Sequence, residues 1–421
     1  MSEKRLEIDE NSDKFFGKII FNKYNLTKKI GKGAFGSIYE AQSISSQKLY
    51  AIKIEKIKEE EFLLEEEALI LSYLNCNRIP KVKSFGYCGN FMILVMELLG
   101  KSLDKILNEL QKNKLSIRCI CNIAYQLISI IEIIHNNNYI HRDIKPGNIA
   151  IGYGDKYKYI YILDFGLSKK YRSSTTKIHF PFTENNKLIG NIRYSSINTL
   201  EGGTQSRRDD LESIGYLIIF LLLGKLPWQG KLSPNKEDKY YKIREIKKNT
   251  TAEELCKGLP SQFKEYIEYT RNLGYETDPD YNYLKNLFLS VLKNMNYEID
   301  YFYDWDKTTL PSNEIKNICY YSNIEYLKIP KIYSKIMELE KERTMYGGNF
   351  EVERFVFDIE EDSTFNYIKK NNENKLENEL DVLNYNTNSM APYNNHKRRI
   401  KQKACCQPRE YKEDESCCLI Y

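Results

Sequence analysis

The chain has 421 residues, 42% of them hydrophobic, which is enough to bury a substantial core and argues against disorder throughout. A formal net charge of +5 excludes a chain that is basic along its whole length, so charge alone gives no case for nucleic acid as a partner. The ten cysteines include no CxxC pair and none of the four histidines stands at metal spacing from one, so a structural zinc site is not expected and the thiols read as reduced.

In chain order, residues 1–23 read as a short N-terminal arm. Its first part, Met1 to Asp13, is charged and lacks the apolar stretch of a secretory signal. Tyr24 to Glu55 is strand-like, with two runs around a glycine-rich turn and a third run at Lys48 to Glu55. Glu59 to Leu74 has helical periodicity, and Phe91 to Leu98 is again strand-like. Ser102 to Trp305 reads mainly as helix, with candidates at Ile117 to His135, Arg208 to Leu223 and Ser261 to Leu273. The most apolar run, Tyr216 to Gly224, is roughly half a membrane span and is expected to be a core helix. These elements predict an α+β fold of two lobes: a small β-rich N-lobe, 24–98, and a larger helical C-lobe, 99–305. A partly helical extension, 306–361, follows, with helices expected within 312–345. Residues 362–421 read as a flexible tail, rich first in Asn, Lys and Glu and ending basic, then acidic, then in cysteines. No internal repeat is evident.

Several motifs carry chemistry. Gly31-Lys32-Gly33-Ala34-Phe35-Gly36 lies between two strand-like runs, where missing Cβ atoms let backbone N–H groups approach phosphate oxygens. Alone it is also consistent with a plain tight turn. A dinucleotide fingerprint would be followed by a helix, whereas Ile38 to Ser43 reads as strand. Lys53, on the third strand, is by itself an ordinary surface charge. After such a glycine loop it becomes a candidate phosphate ligand, and that role needs a carboxylate to hold it. The helix at 59–74 offers Glu65, Glu66 and Glu67. Glu66 is the expected partner, because Leu69, Ile70 and Tyr73 fall on its face.

The run His141-Arg142-Asp143-Ile144-Lys145-Pro146-Gly147-Asn148 concentrates polar groups suited to phosphoryl transfer. Asp143 can orient an attacking hydroxyl and accept its proton, Lys145 can neutralise charge on the moving phosphate, and Asn148 can hold a metal through its amide oxygen. Asp164, in Asp164-Phe165-Gly166, supplies a carboxylate for Mg²⁺. A chemically idle polar turn would have to produce both motifs in order by accident.

Together these residues resemble the eukaryotic protein kinase superfamily, and further segments resemble its casein kinase 1 family. They are Met96-Glu97-Leu98-Leu99-Gly100-Lys101-Ser102-Leu103, Asp164 to Arg172, Gln205 to Ser213, Leu226-Pro227-Trp228-Gln229-Gly230 and above all Ser196-Ile197-Asn198, where most kinases carry Ala-Pro-Glu. The resemblance covers about residues 24–305. It implies a Ser/Thr protein kinase using ATP and Mg²⁺. Lys53 and Glu66 would orient the α- and β-phosphates, Asp143 would be the base, Lys145 the phosphate stabiliser, and Asn148 and Asp164 the metal ligands. Glu97 and Leu99 would bind the adenine edge with Met96 as gatekeeper, and Ile30, Gly31, Gly33, Gly36, Ile38 and Ala51 would complete the ATP site. Asp210 would brace the catalytic loop, though it also reads as a helix N-cap. The family's anion pocket, which selects acidic or phosphorylated neighbours of the acceptor, maps onto Arg193 and Lys239. Its third basic position is Asn186 here, with Lys187 adjoining, and Thr204 and Gly147 each replace an acidic residue. The resemblance also implies activity without phosphorylation of the Ser173 to Thr176 loop.

At the tail, His396 to Lys403 is basic and runs into Cys405-Cys406, and a second doublet, Cys417-Cys418, lies near the end. A basic run beside acylated cysteines supplies the two signals that stable membrane anchoring needs. The plainer readings are a flexible tail or a nuclear import signal. The final Cys418-Leu419-Ile420-Tyr421 has the outline of a prenylation box with an atypical last residue. A cytoplasmic protein is the expectation, with peripheral membrane anchoring through the tail as the sharper reading and the nucleus as the alternative.

Overall fold

The computed structural model describes residues 15–32, 36–57, 63–74, 76–110, 113–184, 186–230 and 235–306, together with two strands at 356–359 and 365–368. The helices expected at 312–345, Gly33 and the tail cysteines lie outside the described residues.

The first part of the chain forms strands β1 (Ile19–Ile20), β2 (Tyr24–Lys32), β3 (Gly36–Ser43) and β4 (Leu49–Lys56), helix α1 (Leu63–Leu74), and strands β5 (Val82–Cys88) and β6 (Phe91–Glu97). Helices α2 (Leu103–Glu109) and α3 (Ile117–Asn136) and strand β7 (Tyr139–Ile140) come next. Short strands β8 (Ile149–Ile151), β9 (Ile160–Ile162) and β10 (Lys169–Lys170) follow. The chain continues in α4 (Ile197–Leu200), α5 (Arg207–Leu223), α6 (Lys236–Asn249), α7 (Ala252–Leu255), α8 (Ser261–Asn272) and α9 (Tyr281–Asn294). Strands β11 (Val356–Ile359) and β12 (Phe365–Ile368) come last. The outcome is the expected bilobal α+β fold, a curled sheet followed by a helical lobe.

The main sheet runs β1-β2-β3-β4-β6-β5-β11-β12, antiparallel at each pairing. Residues 15–23, assigned by sequence to an arm, belong to this sheet through the pairing of β1 with β2. The residues expected as a helical extension and a tail likewise contribute: β11 pairs with β5, setting Phe357 opposite Phe85 and Asp358 opposite Ser84, and β12 pairs with β11. Strand β5 has no clean apolar alternation (Val-Lys-Ser-Phe-Gly-Tyr-Cys), so it escaped the sequence reading.

Period-2 alternation explains how β4 directs its side chains. Ile52 and Ile54 join Ile20, Tyr24, Leu26, Tyr39, Ile93 and Val95 in the outer core of the small lobe. Ala51 faces the other way, into the principal core with Leu94 and Met96. Lys53 shares the parity of Ala51, so it points into the interlobe cleft.

In the helical lobe, α3 is the central rod, packed against α5 and α9. Ser116 caps it by accepting from the Cys119 N–H, and is itself held by Asp304. Among the described residues it is the helix long and apolar enough to cross a membrane, but its apolar face is filled by its neighbours. Helix α5 ends at Gly224, whose φ of 73° is the left-handed closure that glycine adopts without Cβ strain.

Candidate active site

The cleft between the lobes collects the motif residues. Lys53 is buried, and its Nζ lies 2.6 Å from Glu67 Oε2, 3.3 Å from Glu55 Oε1 and 3.5 Å from Asp164 Oδ1. Burial works against its ammonium, but Glu67, Asp164 and Glu55 outweigh that and hold it charged. The partner is therefore Glu67 and not Glu66, which is exposed. The reason is a rotation of one position: α1 buries Leu64, Glu67, Ala68, Ile70, Leu71 and Leu74, a stripe centred on Glu67 and Leu71 that leaves Glu66 on the rim. Glu65 accepts from Tyr87 instead. The other oxygen of Glu67 accepts from the Phe165 N–H at 3.2 Å, so one buried carboxylate joins β4 to the Asp164-Phe165-Gly166 turn.

The catalytic loop is fixed from behind. Asp210 on α5 accepts from the N–H groups of His141 (2.7 Å) and Arg142 (2.8 Å) and bonds His135 Nε2 at 3.0 Å. Arg142 adopts a φ of 69°, and the two N–H bonds hold it in that sparsely populated region. Burial alone would raise the Asp210 carboxyl, but the hydrogen bonds it accepts from His135 and from the His141 N–H bring it below the ordinary range. His141 Nδ1 accepts from the Asp143 N–H, which leaves Nε2 protonated and donating to the Leu163 carbonyl at 2.9 Å. Asp210 is thus the brace that the resemblance implied. The backbone bond a first-turn cap would make falls to its neighbour, since Asp209 accepts from the Ser206 N–H.

Asp143 receives Lys145 Nζ on Oδ2, and both amide hydrogens of Asn148 go to Asp143, at 2.9 Å to its carbonyl and 2.9 Å to Oδ2. The Asn148 amide oxygen is thereby directed elsewhere. Asp164, with φ 62°, turns its half-exposed carboxylate into the cleft. Burial opposes its ionisation, yet Lys53, Lys145 and the Gly166 N–H hold it below the usual carboxylate range. An amide oxygen and an ionised carboxylate are the hard donors a Mg²⁺ ion takes. The Leu163 N–H to Asn148 carbonyl bond, 2.8 Å, ties the two motifs together.

Above this floor, Gly31 pairs with Ile38 across β2 and β3, and Ala51 pairs with Met96 across β4 and β6. Ile30 and Ile38 are half-buried beside them. Glu97 ends β6, and Leu99 follows in the connection to the large lobe. Gly36 is a tight spot: a Cβ there would stand 2.3 Å from the Ile54 carbonyl oxygen. Lys105 of α2 reaches across to the Ile30 carbonyl at 2.8 Å.

Arg193 and Lys239 are both exposed, Arg193 on the segment before α4 and Lys239 on α6. Asn186 contributes no charge and spends its amide on the carbonyls of Gly202 (2.9 Å) and Thr183 (3.0 Å), with Thr204 Oγ1 at 3.4 Å. The two departures noted in the sequence, at 186 and 204, are thus neighbours in one neutral hydrogen-bonded cluster. Asp104 fills the space over Gly147, its Oδ2 3.7 Å from where a Cβ would be.

A small curled sheet over a helical lobe, with Lys53, Asp143, Asn148 and Asp164 converging between them, defines a phosphotransferase cleft for a nucleotide. The protein kinase domain family matches residues 24–280, more than half of the chain. The chain belongs to the protein kinase family, whose members use ATP to phosphorylate proteins. Sequence reasoning missed Glu67, His135 and the backbone role of His141. Apolar residues follow each of the three glutamates on α1, so only the packing singles out Glu67, and nothing local marks His135.

Proposed function

We propose that this kinase phosphorylates Ser and Thr near acidic or phosphorylated residues, in the manner of the casein kinase 1 family, with Mg²⁺ as the metal. The observation that carries the reading is the Asp143 carboxylate, fixed by Lys145 and Asn148 beside the ionised Asp164. Asp143 orients the substrate hydroxyl and takes its proton. Lys145 offsets charge on the transferred phosphate, and Lys53, steadied by Glu67, holds the nucleotide phosphates. Mg²⁺, when bound by Asn148 Oδ1 and Asp164, supplies charge neutralisation. Arg142 Nε already donates to the Leu167 carbonyl, which favours activity without a phosphate on the Ser173 to Thr176 loop.

Casein kinase 1 character rests on the Ser-Ile-Asn segment and on Arg193 with Lys239. The neutral Asn186–Thr204 cluster leaves that pocket with two cations and favours acidic as well as phosphorylated determinants. The kinase unit is taken as 24–305, and the tail as a cytoplasmic membrane anchor through Cys405, Cys406, Cys417 and Cys418. Unchanged membrane partitioning after serine replaces all four would remove the anchor. The functional test is transfer to Ser, Thr and Tyr peptides, primed and unprimed. Asp143→Asn should abolish turnover with ATP binding intact. Arg193→Ala with Lys239→Ala should hurt primed peptides most. Tyrosine transfer, or equal losses on all peptides, would overturn the assignment.

A further inference from the structure

Lys247, on α6, has 0% exposure, deeper than Lys53 or Arg207. Its Nζ donates to the Ile192 and Arg193 carbonyls, each at 3.3 Å, and to the Ser195 carbonyl. It also lies over the rings of Tyr216 (4.7 Å) and Trp228 (4.8 Å). The three hydrogens of an ammonium thus match three acceptors, between two aromatic faces. No carboxylate lies within ion-pair distance of it among the described residues. Glu212 is near, but its Oε1 is committed to the Ile197 N–H (3.0 Å) and the Tyr216 hydroxyl. Burying a cation this way is costly unless its hydrogen bonds are needed.

Those bonds converge on one short segment. Residues 191–197 run along the face that carries the exposed Arg193, and the segment hangs from side chains behind it. Trp228 Nε1 donates to the Arg193 carbonyl at 2.8 Å, and the Ser196 hydroxyl donates to Asp209. Lys247 gathers the carbonyls of Ile192, Arg193 and Ser195 at a single ammonium.

We propose that Lys247 is a positioning residue for peptide substrate, its ammonium shaping the backbone of residues 192–195 so that Arg193 and its neighbours meet the peptide. This rests on the reading above that the segment faces protein substrate. The charged form is required, because a neutral amine has one hydrogen fewer than there are carbonyls. Burial pulls the Lys247 pKa below the ordinary lysine value. Glu212 on α5 opposes that shift and Arg271 on α8 adds to it. The other titratable group facing it is Tyr216 on α5, whose ring lies 4.7 Å from Nζ, while the segment itself offers only backbone carbonyls. Peptide binding should therefore weaken as pH rises into the range where Lys247 loses its proton.

The experiment uses the full chain as wild type, Lys247→Met and Lys247→Arg. It reads KM for an acidic Ser peptide, KM for ATP, kcat across neutral to alkaline pH, and hydrogen exchange over residues 190–198. In Lys247→Met, peptide KM should rise about tenfold or more, as loss of a charged hydrogen-bond donor implies. ATP KM should stay within about twofold, and exchange over 190–198 should accelerate. Lys247→Arg should restore most of the peptide affinity and flatten its pH dependence. Unchanged peptide KM and exchange in Lys247→Met would overturn the proposal, and so would ATP and peptide KM rising together. If Lys247→Met does not fold, the comparison of wild type with Lys247→Arg decides, and identical pH profiles overturn it. A wild type that modifies no Ser or Thr peptide defeats the functional reading instead, while the exchange measurement still reports on Lys247.

Discussion

Exchanging the wrong glutamate should leave the enzyme untouched, and exchanging the right one should cripple it. In Glu67→Gln the side chain keeps its shape and an oxygen for the Phe165 N–H, but the charge facing Lys53 at 2.6 Å is lost. Glu55 at 3.3 Å and Asp164 at 3.5 Å remain, so Lys53 does not become an unpaired buried charge, and the full penalty for breaking a buried pair does not apply. What disappears is one charge-assisted hydrogen bond, about 2 kcal/mol, or roughly 30-fold in kcat/KM. Lys53 is then free to shift toward Asp164, so the loss should appear in both ATP KM and kcat. The assay is steady-state kinetics with ATP varied at fixed peptide, for wild type, Glu66→Gln and Glu67→Gln. Glu66→Gln should match wild type within about twofold, as expected of an exposed position. A Glu66→Gln as damaged as Glu67→Gln, or a Glu67→Gln near wild type, would refute the assignment.

Asp210→Asn sets an amide NH₂ against one of two backbone N–H groups that now point at carboxylate oxygens. It should destabilise the fold by about 3 kcal/mol and lower kcat, read by denaturant unfolding and by turnover in the folded fraction. His135 is buried between Tyr281 and Asp210, and burial, outweighing the Asp210 bond and charge, lowers its pKa from 6.5. The unfolded chain thus accepts a proton near pH 6.5 that the folded chain refuses. This contribution to stability is complete above that pH and is lost as pH falls further. His135→Gln should flatten that part of a Tm-against-pH curve. Gly36→Ala drives a methyl against the Ile54 carbonyl and should cost roughly 2 kcal/mol and weaken ATP binding, seen in thermal shifts with and without nucleotide. Gly31→Ala meets only the Ile38 side chain at 3.6 Å and should fold normally.

How much was legible in the sequence followed the reach of each signal. Asp143, Lys145, Asn148 and Asp164 were readable because phosphoryl transfer needs particular groups at close spacing along the chain. Helices α3 and α8 were readable from periodicity and α5 from its long apolar run, which is buried on nearly every side. The choice among Glu65, Glu66 and Glu67 was not. Each has apolar residues three or four positions on, and the decision fell to Leu64, Leu71 and Leu74 packing into the core, a rotation of one position. Lys247 was opaque for a different reason. Arg-Glu-Ile-Lys-Lys-Asn reads as a solvated helix end, and the lysine's partners are carbonyls more than fifty positions away. Strand β11 was invisible because its surroundings read as a partly helical extension and its partner lies in the first quarter of the chain.

That last pairing bears on how the protein is best handled. A chain cut after Trp305 keeps every catalytic group but strips β11 from β5, uncovering the backbone of that edge at Ser84 and Phe85 on the small lobe. Exposed edges of this kind recruit strands from other molecules. A shortened kinase would thus invite dimers or precipitates at the lobe that carries Lys53, and rates measured on it would report partly on aggregation.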